Sequence, residues 1–595
     1  MINLGQITHE NEIIDLKAKV VYDYLHSFLS ENEYLSLQNQ PLDNHISVLQ
    51  KIDFRLSNTN LEPSSEIVIK RWMDKDLFNL ETDFISRKGK LRAIFKELKG
   101  KLVQKNIDLP LIKSSVQEAV IDLNGSYDFD NTKYLELCVD NLISYLSCGC
   151  ECSKHKKEII YFTKLIAAEF LRLGYSVREL TGVNGIFNRL LSKEIIINEK
   201  KPKNLHSRFP LSPDIERQRG EKHYRKIVED FLKNRTLKEQ FKGIENYVKK
   251  DLLEYIFIVR VKNSLGFEGL NISYKNIKIV SSEHIIEMGE ELGEEQKERL
   301  RNFIKPNSCI YFKIPIKHKS FDSAAHLAFK EAENTLSYLS YPKPLRGEID
   351  KSDIITFYNN NLGWKWKRES LVVSNDRKYD LNNLELNVKL KYELTRLDNL
   401  YFRAFTSRLL EDKILNAWRY LEVLGEYRGY YKDSDRIKNL PFILLFSERS
   451  YNELYLGNLI SNLIINNREI VNCRIPYPKL DAVLKDQINC IEILKKNSNY
   501  YFTNELISVF ENMKLNYKEK YVCYKESLEL LYEQRNFVVH QSNICFLSAN
   551  QSLNFFQIIL RRIRHSVIAD IKKNSRNELD ESLKYLIREG KSFID

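Results

Sequence analysis

The sequence predicts a mainly α protein, with a helical N-terminal region, a small α+β middle domain and an all-helical C-terminal bundle. Three observations carry this prediction. Apolar residues recur at three- and four-residue steps through residues 1–200, the spacing of one helix face. Segments rich in Ile, Val, Tyr and Phe cluster between Leu252 and Ile316, which is strand composition. Helical periodicity then returns and persists through 397–595. A chain of 595 residues exceeds what one core organises, so several domains are expected.

In the N-terminal region, Ile159, Phe162, Leu165, Ile166, Phe170 and Leu173 form an apolar stripe, and Gly174 follows as a helix stop. Val177–Ile186 reads as a turn and the next helix. Lys200–Pro213 holds Pro202, Pro210 and Pro213 among Lys, Asn and Ser, the composition of a linker. A charged helix is expected over 215–249. The middle domain, placed at 214–345, takes strands from Leu252–Val261, Ile272–Val280 and Cys309–Ile316, with helices over Glu290–Phe303 and Ser323–Leu339. Residues 346–396 read as a connecting segment. Within it Leu384, Leu386, Val388, Leu390 and Tyr392 alternate with polar residues, the pattern of an edge strand.

The bundle is placed at 397–595. Phe402–Leu424 is its strongest helical pattern, with Phe405, Leu409, Ile414, Trp418, Leu421 and Leu424 on one stripe and Gly425 closing it. Further helices are expected at 450–466, 476–495, 501–514, 522–534 and 551–573.

Composition narrows the function classes. The apolar fraction is 43% and the charged fraction 29%, ordinary for a globular protein. The net charge of +11, from 92 basic and 81 acidic residues, is compatible with a polyanionic partner and does not single one out. Nine cysteines without framework spacing fit a reducing compartment. Met1–Ile14 has no apolar signal core, and runs such as Pro441–Phe446 are too short to span a bilayer. A cytoplasmic protein with no membrane partner is therefore expected. No phosphate loop G-x-x-x-x-G-K-[ST], zinc helix H-E-x-x-H or nucleophile elbow G-x-S-x-G occurs, so those chemistries have no support.

The stretch that carries chemistry is Tyr532-Glu533-Gln534-Arg535-Asn536-Phe537-Val538-Val539-His540, an R-N-x-x-x-H arrangement behind the helical run Glu526–Leu531. Metal-independent RNA cleavage needs a base for the ribose 2′-OH, a cation for charge building on the phosphate, and an acid for the leaving 5′-oxygen. Histidine titrates near neutrality and serves either proton transfer. Arginine is permanently charged, and its planar fork matches two phosphate oxygens. On an ideal helix Arg535 and His540 lie about 140° apart, whereas Asn536 and His540 share a face. Either the helix is irregular near Arg535 or the long side chain swings round.

This motif resembles the signature of the HEPN (higher eukaryotes and prokaryotes nucleotide-binding) superfamily. Leu415–Glu422 resembles that family's early long helix, which ends in an aromatic, a Leu and an acidic residue. The resemblance covers 397–595. It implies a compact helical bundle with the motif near the start of a late helix. It also implies that two motifs from two domains form one cleft, so a single motif implies a homodimer with an isologous contact. Arg535, His540 and Asn536 are the implied catalytic residues, Glu422 is a supporting partner for Arg535, and no cofactor is required. Some HEPN toxins carry a Tyr two places after the His; here that position is Ser542, so neutralisation through that Tyr is not expected. Large bacterial HEPN proteins of this layout resemble abortive-infection, antiphage effectors. By that analogy residues 1–395 would sense a trigger, bind a regulator or hold substrate. The competing expectations are a non-catalytic HEPN module that binds nucleotide, RNA or protein, and a regulatory scaffold.

Two lesser signals remain. Cys148, Cys150, Cys152 and His155 offer zinc-type donors within eight residues. They lack the second, spaced pair of a structural zinc site, and the plainer reading is a Cys-rich turn before a helix. Arg561, Arg562, Arg564 and His565 form a basic cluster that would guide an RNA backbone; the plainer reading there is a solvated helix face.

Overall fold

The structure is a computed structural model. It describes residues 4–8, 12–29, parts of 44–53 and 111–118, 133–148, 153–182, 185–192, 194–198, 206–207, 223–249, 253–265, 273–274, 276–304, 309–339, 346–358, 361–363, 386–407, 410–447, 495, 517–541 and 546–594. Most of them are helical, with a small antiparallel sheet in the middle of the chain.

The N-terminal part begins with β1 (Leu4–Thr8) and α1 (Glu12–Leu29). It continues with α2 (Lys133–Ser147), α3 (Ser153–Arg172) and the single-turn α4 (Val177–Thr181). A 3-10 turn over Ile186–Leu191 leads into β2 (Glu194–Asn198) and β3 (His206–Ser207). β1, β2 and β3 form an antiparallel sheet. The reading of this region as mainly helical did not include this sheet, because its strands are too short to impose a period. Gly174, at φ +87°, ends α3 as expected, with the Tyr175 N–H returning to the Phe170 carbonyl.

The charged segment over 215–249 becomes two helices, α5 (Tyr224–Asn234) and α6 (Leu237–Lys249). They belong with the N-terminal core, not with the middle domain. Leu237, Phe241 and Ile244 pack into one cluster with α1, α2 and α3. Arg235, between the two helices, is fully buried: it pairs with Asp15 of α1 at 2.6 Å and donates to Gln240 and the Leu232 carbonyl. Of the linker expected over 200–213, His206 and Ser207 pair with β2, and the rest lies outside the described residues.

The middle sheet has six antiparallel strands. In chain order they are β4 (Leu253–Leu265), β5 (Ser273–Tyr274), β6 (Ile277–Val280), β7 (Ile310–His318), β8 (Arg346–Tyr358) and β9 (Asn361–Gly363). In space the order is β5-β6-β7-β4-β8-β9. The period of two along β4 divides its side chains between two cores. Tyr255, Phe257, Val259 and Val261 meet α9 (Phe321–Leu339). Ile256 and Ile258 face the layer of α7 (Ser282–Met288) and α8 (Glu294–Phe303). The sheet therefore continues past residue 345, and 346–363 is not a connection. β8 escapes the periodicity test because it is interrupted. Val259 pairs with Ile354 but Val261 with Ile349, so residues 350–353 bulge opposite Arg260. The buried Asp350 there takes Arg260 and Lys262 as partners.

The alternation read as an edge strand over 384–392 is helix from Val388 on, and Leu384 lies outside the described residues. From Val388 the chain is α10 (Val388–Thr406), capped by the Asn387 side chain, which accepts the Leu390 N–H at 2.8 Å. Val388 and Tyr392 are 87% and 70% exposed. The buried series is instead Leu390, Leu394, Leu397 and Tyr401, a helical period that outruns the short alternation. α10 ends at Thr406, and α11 (Leu410–Tyr427) follows, so the single helix expected over Phe402–Leu424 is two. Gly425 lies inside α11, where the Arg436 side chain crosses it; Gly429, at φ +79°, is the actual stop. The bundle continues with α12 (Asp433–Asn439), α13 (Tyr517–Gln541), α14 (Phe546–Asn574) and α15 (Leu579–Lys591). The helices expected at 450–466, 476–495 and 501–514 lie outside the described residues, apart from Lys495. No described helix is long and apolar enough to cross a membrane.

The three parts are joined by specific contacts. Ser320 donates to the Glu179 carboxylate at 2.8 Å, and Ser323 donates to the Gly174 carbonyl. Lys330 of α9 pairs with Glu411 of α11 at 2.7 Å. α3 packs against α14.

Two predictions follow from packing. A Cβ at Gly590 would sit 1.9 Å from the Phe442 carbonyl oxygen. Gly590→Ala should destabilise the bundle by about 2–3 kcal/mol, read as unfolding at lower urea. Burial, reinforced by Lys19, pushes the His26 imidazole down to about 4, against an opposing hydrogen bond from the imidazole to Asn188. The unfolded chain then binds a proton that the folded chain refuses. Stability should be full above pH 6.5 and fall as pH drops towards 4. His26→Gln should flatten that part of the urea-midpoint profile.

Candidate active site

α13 positions the motif. Tyr524, Leu528 and Leu531 are buried at three- and four-residue steps, and the same stripe runs on to Arg535. Arg535 therefore leaves the helix towards the bundle rather than towards open solvent. The helix stays α-helical through Gln541, so irregularity near Arg535 is excluded and the side chain must do the reaching. The guanidinium donates through Nη1 to Asn536 Oδ1 at 2.9 Å, and its Nη2 lies 3.6 Å from Glu422 Oε1. Asn536 shares a face with His540 one turn on, so it joins the face of the arginine to that of the histidine. The His540 side chain lies outside the described residues; its backbone closes the last turn of α13. Val539 beside it is 50% exposed.

The resemblance implied a motif near the start of a late helix. Here it occupies the last two turns of α13, and Glu526–Leu531 is the body of the same helix.

α11 supplies the second wall. Trp418 is buried, and its indole N–H donates to Glu422 Oε1 at 3.0 Å. Its ring lies 5.1 Å from that of Tyr532. Glu422 is thus oriented by its own helix, four residues from Trp418, and then presented to Arg535. The two charged side chains are 23% and 28% exposed, so their pairing contributes modest stability. Sequence reasoning paired Glu422 with Arg535 but gave no role to Trp418 or Tyr532. The available signal was the four-residue step from Trp418 to Glu422, which stacks them on one face.

Three of the four side chains of the basic cluster on α14 are buried, so the cluster is not a solvated face. Arg562 is buried and donates to the Tyr524 hydroxyl at 2.9 Å. Arg564 is buried against Asp398 through two hydrogen bonds, 2.7 and 3.0 Å, and lies 5.0 Å from the Tyr401 ring. His565 is buried as well. Arg561 alone of the four is partly exposed, lying 5.3 Å from the Phe405 ring. The reason is that α14 is buried almost all round, with apolar residues from Leu553 to Ile571 in the core. Charges on such a helix are accommodated only with internal partners.

At the Cys-rich turn, Cys148 is an exposed free thiol, and His155 lies in the first turn of α3 with its ring 5.3 Å from Tyr145. Cys150 and Cys152 lie outside the described residues. Among the described residues no group of three or more His, Cys, Asp or Glu is placed to hold a metal ion.

Compared with known protein families, with curated proteins and with solved structures, the chain matches none.

The burial of Arg562 gives a test. Arg562→Ala should lower stability by on the order of 2 kcal/mol, because it removes a buried guanidinium together with its hydrogen bond to the Tyr524 hydroxyl. The salt dependence of any RNA binding should be unchanged, since no phosphate contact is lost.

Proposed function

We propose that the C-terminal bundle is a HEPN-type RNA endonuclease that works without a metal as a homodimer, in a toxin-like effector of antiphage defence. The observation that carries the reading is Arg535 bonded to Asn536 at the end of a helix that brings His540 to the same face as Asn536. A permanent cation, a polar positioning group and a titratable base thereby belong to the last two turns of α13.

In this reading one His540 takes the proton from a ribose 2′-OH. The 2′-oxygen attacks phosphorus, and the bond from phosphorus to the 5′-oxygen breaks. Arg535 stabilises the charge that gathers on the non-bridging oxygens. The departing 5′-oxygen takes a proton from the second subunit's histidine. The products are a 2′,3′-cyclic phosphate and a 5′-hydroxyl. One motif holds half of this set, so cleavage and dimerisation stand together. The exposed Val539 beside His540 supports a contact between copies at this end of the helix.

A second reading is favoured by the pairing of Arg535 with Glu422, which occupies the cation the chemistry needs. It makes the bundle a non-catalytic module that binds RNA, nucleotide or a protein partner. Arg535→Ala and His540→Ala separate the two. Each should reduce cleavage of total RNA at least a hundredfold and abolish toxicity in expressing cells. Mixing the two inactive variants should restore no activity, because a mixed dimer keeps one histidine where the chemistry uses one as base and the other as acid. Full activity of either variant alone would refute the catalytic reading.

A further inference from the structure

We propose that Glu422 is a removable latch on Arg535, and that α11 couples this latch to the α+β domain. The proposal rests on reading Arg535 as the group that receives a phosphodiester. The geometry of the pair is that of a guard rather than a clamp. A charge-assisted N–H···O bond is about 2.7–2.9 Å long, whereas Arg535 and Glu422 stand 3.6 Å apart. Glu422 is held in place by Trp418 of its own helix at 3.0 Å. The tight bond of Arg535 is to Asn536, at 2.9 Å. Arg535 therefore loses little if Glu422 departs. A phosphate approaching Arg535 meets the Glu422 carboxylate beside it, and like charges brought together in a half-buried site repel strongly.

The helix that presents Glu422 is fastened elsewhere. Glu411 in the first turn of α11 pairs with Lys330 of α9 at 2.7 Å. Glu411, Trp418 and Glu422 are seven and eleven residues apart, which at about 100° per residue places all three within about 40° of one another. One stripe of α11 thus meets the α+β domain at its start and Arg535 near its end. Any shift of α9 that pulls Lys330 from Glu411 acts on the stripe that carries Trp418 and Glu422. A trigger sensed by the α+β domain reaches the motif by this route.

The test is binding of a 2′-O-methyl RNA oligonucleotide to the full chain, measured by fluorescence anisotropy at low salt. Such a probe has no free 2′-hydroxyl to attack, so binding is read apart from cleavage. Glu422→Gln removes the charge and keeps an acceptor for the Trp418 indole. It should bind on the order of tenfold tighter than wild type, and adding Arg535→Ala should erase the gain. Lys330→Glu, at a partly exposed site remote from the motif, should give part of the same gain. Pairing it with Glu411→Lys should return affinity to the wild-type value. Unchanged or weaker binding by Glu422→Gln overturns the latch, and unchanged binding by Lys330→Glu overturns the coupling through α11. A gain in binding by a protein that cleaves no RNA would leave the latch standing and sink the ribonuclease reading. A wild type that cleaves while Glu422→Gln gains nothing would do the reverse.

Discussion

α13 remains a regular helix through Arg535, Asn536 and His540, and this fixes what the motif can do. Side chains five residues apart leave a helix about 140° from each other. The arginine is carried inward by the core stripe of Leu528 and Leu531. Asn536 bridges the difference, since it accepts from the guanidinium and sits one turn before His540. Trp418 and Glu422 complete the arginine's surroundings from α11. An arginine in these surroundings is pre-oriented, which suits recognition of a phosphate. It is also neutralised by Glu422, which suits a site that stays quiet until moved.

The bundle that holds this arrangement is built around α14. Its burial on nearly all sides forces Arg562 and Arg564 to find Tyr524 and Asp398 inside the protein, which keeps them off the surface. The same helix receives α3 of the N-terminal part, while Glu411 at the start of α11 receives Lys330 of the α+β domain. Both preceding parts therefore rest directly on elements that support the motif. The N-terminal core in turn is tied to α5 and α6 by the buried Arg235 and its bond to Asp15.

Much of the fold was legible because long periods survive noise. The stripes on α3, α9 and α14 each run for many residues, and β4 and β7 are dense in β-branched and aromatic side chains. Where the reading failed, a local pattern was too short or was broken by a charge. Leu384, Leu386, Val388, Leu390 and Tyr392 alternate with polar residues over only nine positions, and the cap at Asn387 decides for helix from Val388 on. β8 hides behind its bulge at Asp350, whose burial depends on Arg260 from another strand. Gly425 looked like a helix stop, but it is kept small by Arg436, a residue eleven positions later. The domain membership of 224–249 rests on Arg235 and Asp15, 220 residues apart, which no window along the chain reveals. At the site, the motif and the pairing of Glu422 with Arg535 could be read from spacing. The role of Asn536 as acceptor could not, because it needs the arginine's side-chain direction.

If the end of α13 is the proposed metal-independent ribonuclease site, the chemistry of the RNA ends it leaves reveals it. Total RNA should be incubated with the purified chain in excess chelator and the new termini sequenced. The account predicts 2′,3′-cyclic phosphate and 5′-hydroxyl ends that are absent with His540→Ala. Cleavage that requires added divalent metal and leaves 5′-phosphate ends, or no cleavage under any triggering condition, would contradict it.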